Sequence, residues 1–339
     1  MTRHADIEGI DATKLTHVNY AFAKVHVDEA VLEDPDAPAN LARLVALKRL
    51  HPGLKVILSI GGWGAEWFSD AALTPASRCR FATSAVALLR QYQLDGLDID
   101  WEYPGQPGGG NRYRPEDREN FTLLLNELRY ELDLLSDGLG RKGSDRYTLT
   151  IASSGGRYFD HVDMARIHRD LDWINVMAYD FFGYWPDVTG HHSGLHAAQP
   201  HTPSAESFVM QHLAAGVPPD KIVLGVPLYA KWWRWVNRKS DTGIGEPYDL
   251  FSGDVSYARL ESEFLRDPRY VHGWDRDARE PYLWDPELGT FVSYDDPRSL
   301  RDKARFVKRQ HLGGMMFWEQ SHDPDQVLLD AIYDELHRQ

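Results

Sequence analysis

The stretch Asp95-Gly96-Leu97-Asp98-Ile99-Asp100-Trp101-Glu102-Tyr103-Pro104 carries four acidic residues at a spacing that could do chemistry. Side chains of a strand alternate between its two faces. Asp98, Asp100 and Glu102 therefore share one face, and Leu97, Ile99 and Trp101 share the other. Three carboxyl groups side by side cannot all ionise freely, because like charges at close range disfavour one another. At least one proton is shared, and Glu102 gains a raised pKa, which a general acid needs near neutral pH. Asp95 has the opposite phase and reads as structural. Two other readings stay open. The strand could be a solvent-facing edge, or the carboxylates could hold a hard divalent cation. His161 and the pair His191-His192 are not at ligand spacing to the strand.

Elements able to position such a face follow along the chain. Short β-rich runs at Thr16–Val25, Leu54–Ile60, Gly96–Tyr103, Tyr147–Ser153, Trp173–Asp180, Lys221–Tyr229 and Gly313–Trp318 alternate with helical patterns such as Arg78–Gln91, Pro115–Leu135 and Ser204–Gly216. Strand–helix alternation predicts a parallel sheet, since parallel neighbours need crossover helices. The fold class expected is α/β, a (β/α)8 TIM barrel with its chemistry at the C-terminal strand ends. Apolar residues of the acidic strand then meet the helices, and the carboxyls point inward with Glu102 nearest the mouth. Seven runs are visible where the barrel needs about eight, and the missing one is the first. The expectation is that Met1 is not the true start, or that the chain is a fragment. The aromatic-rich interval between Lys231 and Gly313 is too long for a plain loop. It reads as an inserted α+β subdomain over 232–296, leaving 1–231 and 297–339 as the barrel.

Of the 339 residues, 42% are hydrophobic and 26% charged, enough for a full core. The net charge of −14 and the lack of any Lys/Arg cluster argue against nucleic acid as partner. One cysteine, Cys79, excludes an internal disulfide. No apolar run reaches the length of a membrane span, and the polar start Met1-Thr2-Arg3-His4 is no signal peptide. Extracellular placement would require a signal on a segment upstream of Met1. A monomer without membrane contact, cofactor or metal is expected.

The acidic segment resembles the DxxDxDxE signature of family 18 glycoside hydrolases, the chitinase family. Further segments agree in order: Leu15–Phe22, Ser59-Ile60-Gly61-Gly62-Trp63, Met177-Ala178-Tyr179-Asp180, Gly225-Val226-Pro227-Leu228-Tyr229 and Gly313–Trp318. The resemblance implies hydrolysis of β-1,4 links between N-acetylglucosamine units, with chitin or chitooligosaccharide as substrate. It implies Glu102 as the acid and Asp100 as holder of the substrate's N-acetyl group, which itself attacks the anomeric carbon. Asp98 lies deeper and shares a proton with Asp100; Tyr179 bonds the acetamido oxygen. Asp180, Trp318, Met177, Tyr229, Tyr20, Phe22, Trp63, Tyr103 and Trp185 are implied to bind substrate, Trp318 as the floor beneath the distorted sugar. Trp67, Trp232 and Trp233 are further candidate platforms. Gly61 and Gly62 allow close backbone approach. His191-His192 falls in an expected surface loop over the cleft.

The insertion resembles that of deep-cleft members and predicts a groove for several sugars. Where the family often has Gly-Arg, this chain has Ala230-Lys231, and a lysine lacks the planar fork of arginine. Rival readings are a non-catalytic lectin, which usually lacks the acid, an endo-N-acetylglucosaminidase on other glycans, and a divalent-metal hydrolase.

Overall fold

The computed structural model describes residues 7–338. The chain divides into two compact units. One runs to Asn175 and takes in Ala214–Lys221; the other holds Val176–Leu213 and everything from Ile222 onward. Among the described residues no helix is long and apolar enough to cross a membrane.

The first unit holds β1 (His17–His26), β2 (Glu29–Val31), β3 (Lys55–Gly61), β4 (Gly96–Asp100), β5 (Thr148–Ser153) and the start of β6 (Trp173–Met177). They lie in the order β6-β5-β4-β3-β1-β2. Pairing is parallel from β1 through β5, and β2 folds back on β1 as a short antiparallel strand that the sequence did not announce. Helices join the parallel strands. The helix Pro75–Gln91 starts at a capping box, with Thr74 and Ser77 satisfying each other's backbone N–H and Pro75 presetting the first turn. The unpaired Cys79 is exposed on this helix. Trp101 is buried against Phe68, stacked at 5.3 Å, and Phe121, edge-on at 5.3 Å. The apolar face of the acidic segment thus meets the helix Asp117–Gly138, which contributes Phe121. Removing an indole so enclosed costs about 3–5 kcal/mol. Among the described residues no strand precedes His17.

The second unit carries β7 (Ile222–Pro227), β8 (Tyr229–Val236), β9 (Tyr248–Ser256), β10 (Val271–Asp275), β11 (Glu280–Asp285), β12 (Thr290–Ser293) and β13 (Gly314–Trp318). β13 lies parallel to β7 in the order β13-β7-β6. Strands β10-β11-β12-β8-β9 form a separate antiparallel sheet. Trp233, Val236, Trp284 and Phe291 form one buried cluster on it, and Ala230, Val255, Leu283 and Val292 join a second. Such a sheet, with the short helical turns over 257–264, is an α+β insertion between two parallel strands. The fold is the α/β class expected: parallel strands alternating with helices as in a (β/α)8 barrel, with an antiparallel insertion.

Two expected strands end early. β4 stops at Asp100 and β6 at Met177, so Glu102, Tyr179 and Asp180 stand on the segments that follow. The expected run Lys221–Tyr229 is two strands, broken at Leu228.

Candidate active site

Every residue of β4 is buried. Register places Ser59 on one side of Asp98 and Thr150 on the other. Ser59 Oγ donates to Asp98 Oδ2 at 2.7 Å; Thr150 Oγ1 at 2.6 Å and Asn175 Nδ2 at 3.1 Å donate to Oδ1. Burial pushes the Asp98 carboxyl above its ordinary range, against the pull of these three donors. Asp100 is pushed up much further, by burial first and then by the charges of Glu102 and Asp98, with Lys24 opposing. Its Oδ1 is buried without a hydrogen-bond partner among the described residues. Lys24 Nζ donates to the Gly61 carbonyl at 2.8 Å, and Gly61 is the register partner of Asp100. A Cβ on Gly61 would stand 2.0 Å from the Asp100 carbonyl oxygen. Asp95, at the other end, accepts from Lys48 Nζ at 2.7 Å and the Val56 N–H at 2.9 Å, which serves the fold.

Glu102 is half-buried two residues beyond the strand. The Gly-rich loop after it clamps its backbone. A Cβ on Gly108 would meet the Glu102 carbonyl oxygen at 2.4 Å. Asn111 accepts from the Gly108 N–H at 2.7 Å and donates to the Tyr103 carbonyl at 3.1 Å. Edge-to-face rings run from Trp63 to Tyr103 at 6.3 Å and from Tyr103 to Tyr158 at 6.0 Å. Trp63 is 55% exposed, as a sugar platform must be. Tyr158 is buried; burial pushes its phenol up, and the charges of Asp100 and Glu102 add to that. Sequence reasoning missed Tyr158. The available signal was its place just after β5, at a C-terminal strand end.

Tyr20 does not join this group. Its register partner is Leu58, whose partner is Leu97, so it lies on the face opposite Asp98. It is buried beside Asn40, Asp34 and Asp36. A bulge at Phe22 breaks the alternation. The Phe22 ring lies where a Cβ on Gly62 would come within 2.7 Å, with the Lys24 ammonium 5.2 Å from its centre.

In the second unit, Met177 closes β6 and is half-buried, followed by half-buried Tyr179 and by Asp180 with φ of 61°. Asp and Asn tolerate that left-handed conformation better than most residues. The Tyr229 hydroxyl donates to Asp180 Oδ1 at 2.7 Å, Lys231 Nζ lies 3.0 Å from the same oxygen, and His192 Nδ1 lies 3.7 Å from it. Burial raises the Asp180 carboxyl, but His192, Lys231 and Tyr229 outweigh it and hold the group at about 2. Lys231 is buried and also pairs with Asp254 at 2.9 Å. Its charge is spent on protein carboxylates. The Tyr179 and Tyr229 rings meet edge-on at 6.3 Å. Trp318, half-buried, closes β13, and its carbonyl accepts from the Leu228 N–H at 2.7 Å. Trp185 is 42% exposed with its ring 4.3 Å from that of Tyr184. Trp233 is no platform: it is fully buried, its Nε1–H donating to the Gly183 carbonyl at 2.8 Å. Trp232 packs on Phe264, and Trp67 is half-buried.

His191 and His192 are buried, contrary to the surface loop expected of them. The reason is a polar cluster that reaches them from residues far along the chain, through Ser293, Glu280 and Asp275. Among the described residues no group of three or more His, Cys, Asp or Glu is arranged to hold a metal ion.

Comparison with known proteins bears on this geometry. The chain is 35% identical to Chitinase A1 of Niallia circulans over 98% of its length, and spans 56% of that protein. A family 18 N-acetylglucosaminidase from Paenibacillus barengoltzii superposes with a TM-score of 0.90 at 39% identity, over 97% of this chain and 95% of that one. A class V chitinase from Nicotiana tobaccum, a mutant form solved in complex with NAG4, gives a TM-score of 0.88 at 28% identity, over 98% and 95%. The family model "Glycosyl hydrolases family 18" matches residues 2–323. With the acidic strand, the parallel sheet and the match over nearly its whole length all in agreement, this chain belongs to glycosyl hydrolase family 18.

Proposed function

We propose that the chain is a chitinase, cutting β-1,4 links between N-acetylglucosamine units with retention of configuration. The observation that carries this reading is Asp100: a buried carboxyl with raised proton affinity and one oxygen without a hydrogen-bond partner among the described residues, next to the half-buried Glu102. Glu102 gives its proton to the glycosidic oxygen as the bond to the anomeric carbon breaks. The substrate's acetamido oxygen attacks that carbon, and Asp100 holds the acetamido N–H through the free oxygen. Water then opens the oxazolinium ring, giving its proton to Glu102 and restoring the acid. No enzyme carboxylate is the nucleophile, the substrate-assisted exception to the two-carboxylate scheme. Asp98, which accepts from three neutral donors, adds a negative charge that favours a proton on Asp100. Tyr179 bonds the acetamido oxygen and Asp180 a sugar hydroxyl. Trp318 is the floor, with Met177 and Tyr229 as further sugar contacts in its unit, and Phe22 is a substrate contact of the first unit. Trp63, Tyr103 and Trp185 bind outer sugars. The NAG4 complex of the Nicotiana relative supports an oligosaccharide as ligand.

The test is mass spectrometry of N-acetylglucosamine oligomers incubated with the protein and with Glu102→Gln. Wild type should cleave, and the variant should be slower by about 10²–10⁴-fold, the usual worth of a general acid. Equal rates would sink the assignment of Glu102. The N-acetylglucosaminidase relative, at 39% identity, favours release of single units as a second reading, and product lengths decide between the two.

A further inference from the structure

His192 has no part in the chemistry above, yet it is fully enclosed. Its Nδ1 stands 3.7 Å from Asp180 Oδ1, and its ring lies 5.4 Å from that of Tyr229, whose hydroxyl grips the same oxygen. From behind, the His192 N–H donates to Ser293 Oγ at 2.9 Å, and Ser293 Oγ donates to Glu280 Oε1 at 2.8 Å. The Ser193 hydroxyl lies 2.8 Å from Asp295 Oδ2 and 3.3 Å from the same Glu280 oxygen, and Asp295 is paired with fully buried Lys303. Ser293 thus holds the His192 backbone, and Glu280 and Asp295 hold Ser293 and Ser193 around it, while the His192 side chain faces Asp180, the carboxylate implied to bind a sugar hydroxyl. Burying so many polar groups for packing alone is costly. A residue that only filled space there could be apolar.

We propose that His192 is a positioning residue for Asp180, its imidazole holding the carboxylate at the place and rotation in which it accepts a sugar hydroxyl. The proposal rests on the role given to Asp180 above. Tyr229 and Lys231 contact Asp180 from β8 at 2.7 and 3.0 Å, and the His192 ring, on the segment after β6, flanks it at 3.7 Å with neither of its buried nitrogens hydrogen-bonded elsewhere among the described residues. The buried cluster under His192 is the foundation that keeps the ring from turning away. Loss of the imidazole beside Asp180 leaves the carboxylate with Tyr229 and Lys231 on one side and, among the described residues, nothing polar on the other, so sugar affinity falls while the fold keeps its core.

A double-mutant cycle read in binding tests this, with the tetramer of N-acetylglucosamine as probe and calorimetry as readout. All proteins carry Glu102→Gln, so that cleavage does not consume the probe. His192→Phe keeps a ring against Tyr229 but no N–H; His192→Asn keeps a donor. Expected is about a tenfold or greater loss of affinity with His192→Phe, recovery of most of it with His192→Asn, and little further loss when His192→Phe is added to Asp180→Asn. Equal losses in both backgrounds, or a His192→Asn variant as weak as His192→Phe, would overturn the proposal. Should His192→Phe not fold, comparison of His192→Asn with His192→Ala in the two Asp180 backgrounds carries the same cycle. Wild type that neither binds nor cleaves the oligomer sinks the functional reading itself, a result distinct from wild type that acts with an additive cycle.

Discussion

The Lys231 ammonium stands 3.0 Å from Asp180 and 2.9 Å from Asp254, one buried cation between two carboxylates. Lys231→Met should leave them facing each other unscreened. Both acids keep some contact with solvent, at 38% and 53% side-chain exposure. The loss in stability is therefore expected at about 1–3 kcal/mol rather than the full cost of breaking a buried pair. Asp180 is held at about 2, below the 3.8 of a free carboxyl. A depressed group contributes stability that is present above pH 3.8 and lost as pH falls toward 2. Urea titrations at pH 7 and along an acid series should show this window, and Lys231→Met should narrow it.

Asp100 has the opposite sign. Its proton affinity is raised in the fold, so it costs stability as pH rises above the ordinary carboxyl range, and none below it. Asp100→Asn should therefore be more stable than wild type at pH 7, by about 1–2 kcal/mol, with a smaller gain at pH 4. The same variant should lose most of its activity. A variant less stable at pH 7 would contradict the buried-charge account.

Gly108 is needed for contact rather than for backbone freedom. Ala at this position would push its Cβ to 2.4 Å from the Glu102 carbonyl oxygen. Gly108→Ala is expected to cost about 1–3 kcal/mol and to lower kcat by displacing Glu102. Gly53, with nothing within 4 Å of its Cβ position, is the matched control, and Gly53→Ala should leave both quantities near wild type. Thermal melts and initial rates on one soluble oligomer check both variants.

Trp63 is 55% exposed, and its ring meets Tyr103 edge-on. Trp63→Ala should change stability by no more than about 0.5 kcal/mol, while raising KM for longer oligomers more than for short ones. A KM that rises equally at every length would remove Trp63 from the outer sugars.

The alternation of β4 was legible because period-two patterning is local. Asp98 and Asp100 do share a face, and Trp101 does meet the helices. Tyr20 was misplaced because one extra residue at Phe22 resets the phase of β1, and a bulge leaves no mark in composition. The end of β4 at Asp100 was hidden for a related reason. Gly108 and Asn111, not the strand's own residues, decide how the chain leaves it. The burial of His191 and His192 depends on Glu280 and Ser293, about a hundred residues downstream, and no window of sequence around Gly190 contains them. Tyr158 was unread for the opposite reason: its position after β5 was visible, but one tyrosine among 16 carries no signal of its own.

The exposed thiol of Cys79 has no chemical rival, since the chain holds no other cysteine. A maleimide dye or a surface linker added to the unmodified protein therefore reacts at one known point, on a capped helix of the first unit. Every molecule on a sensor chip or in a single-molecule trap is then tethered by the same atom, without a single substitution having been introduced.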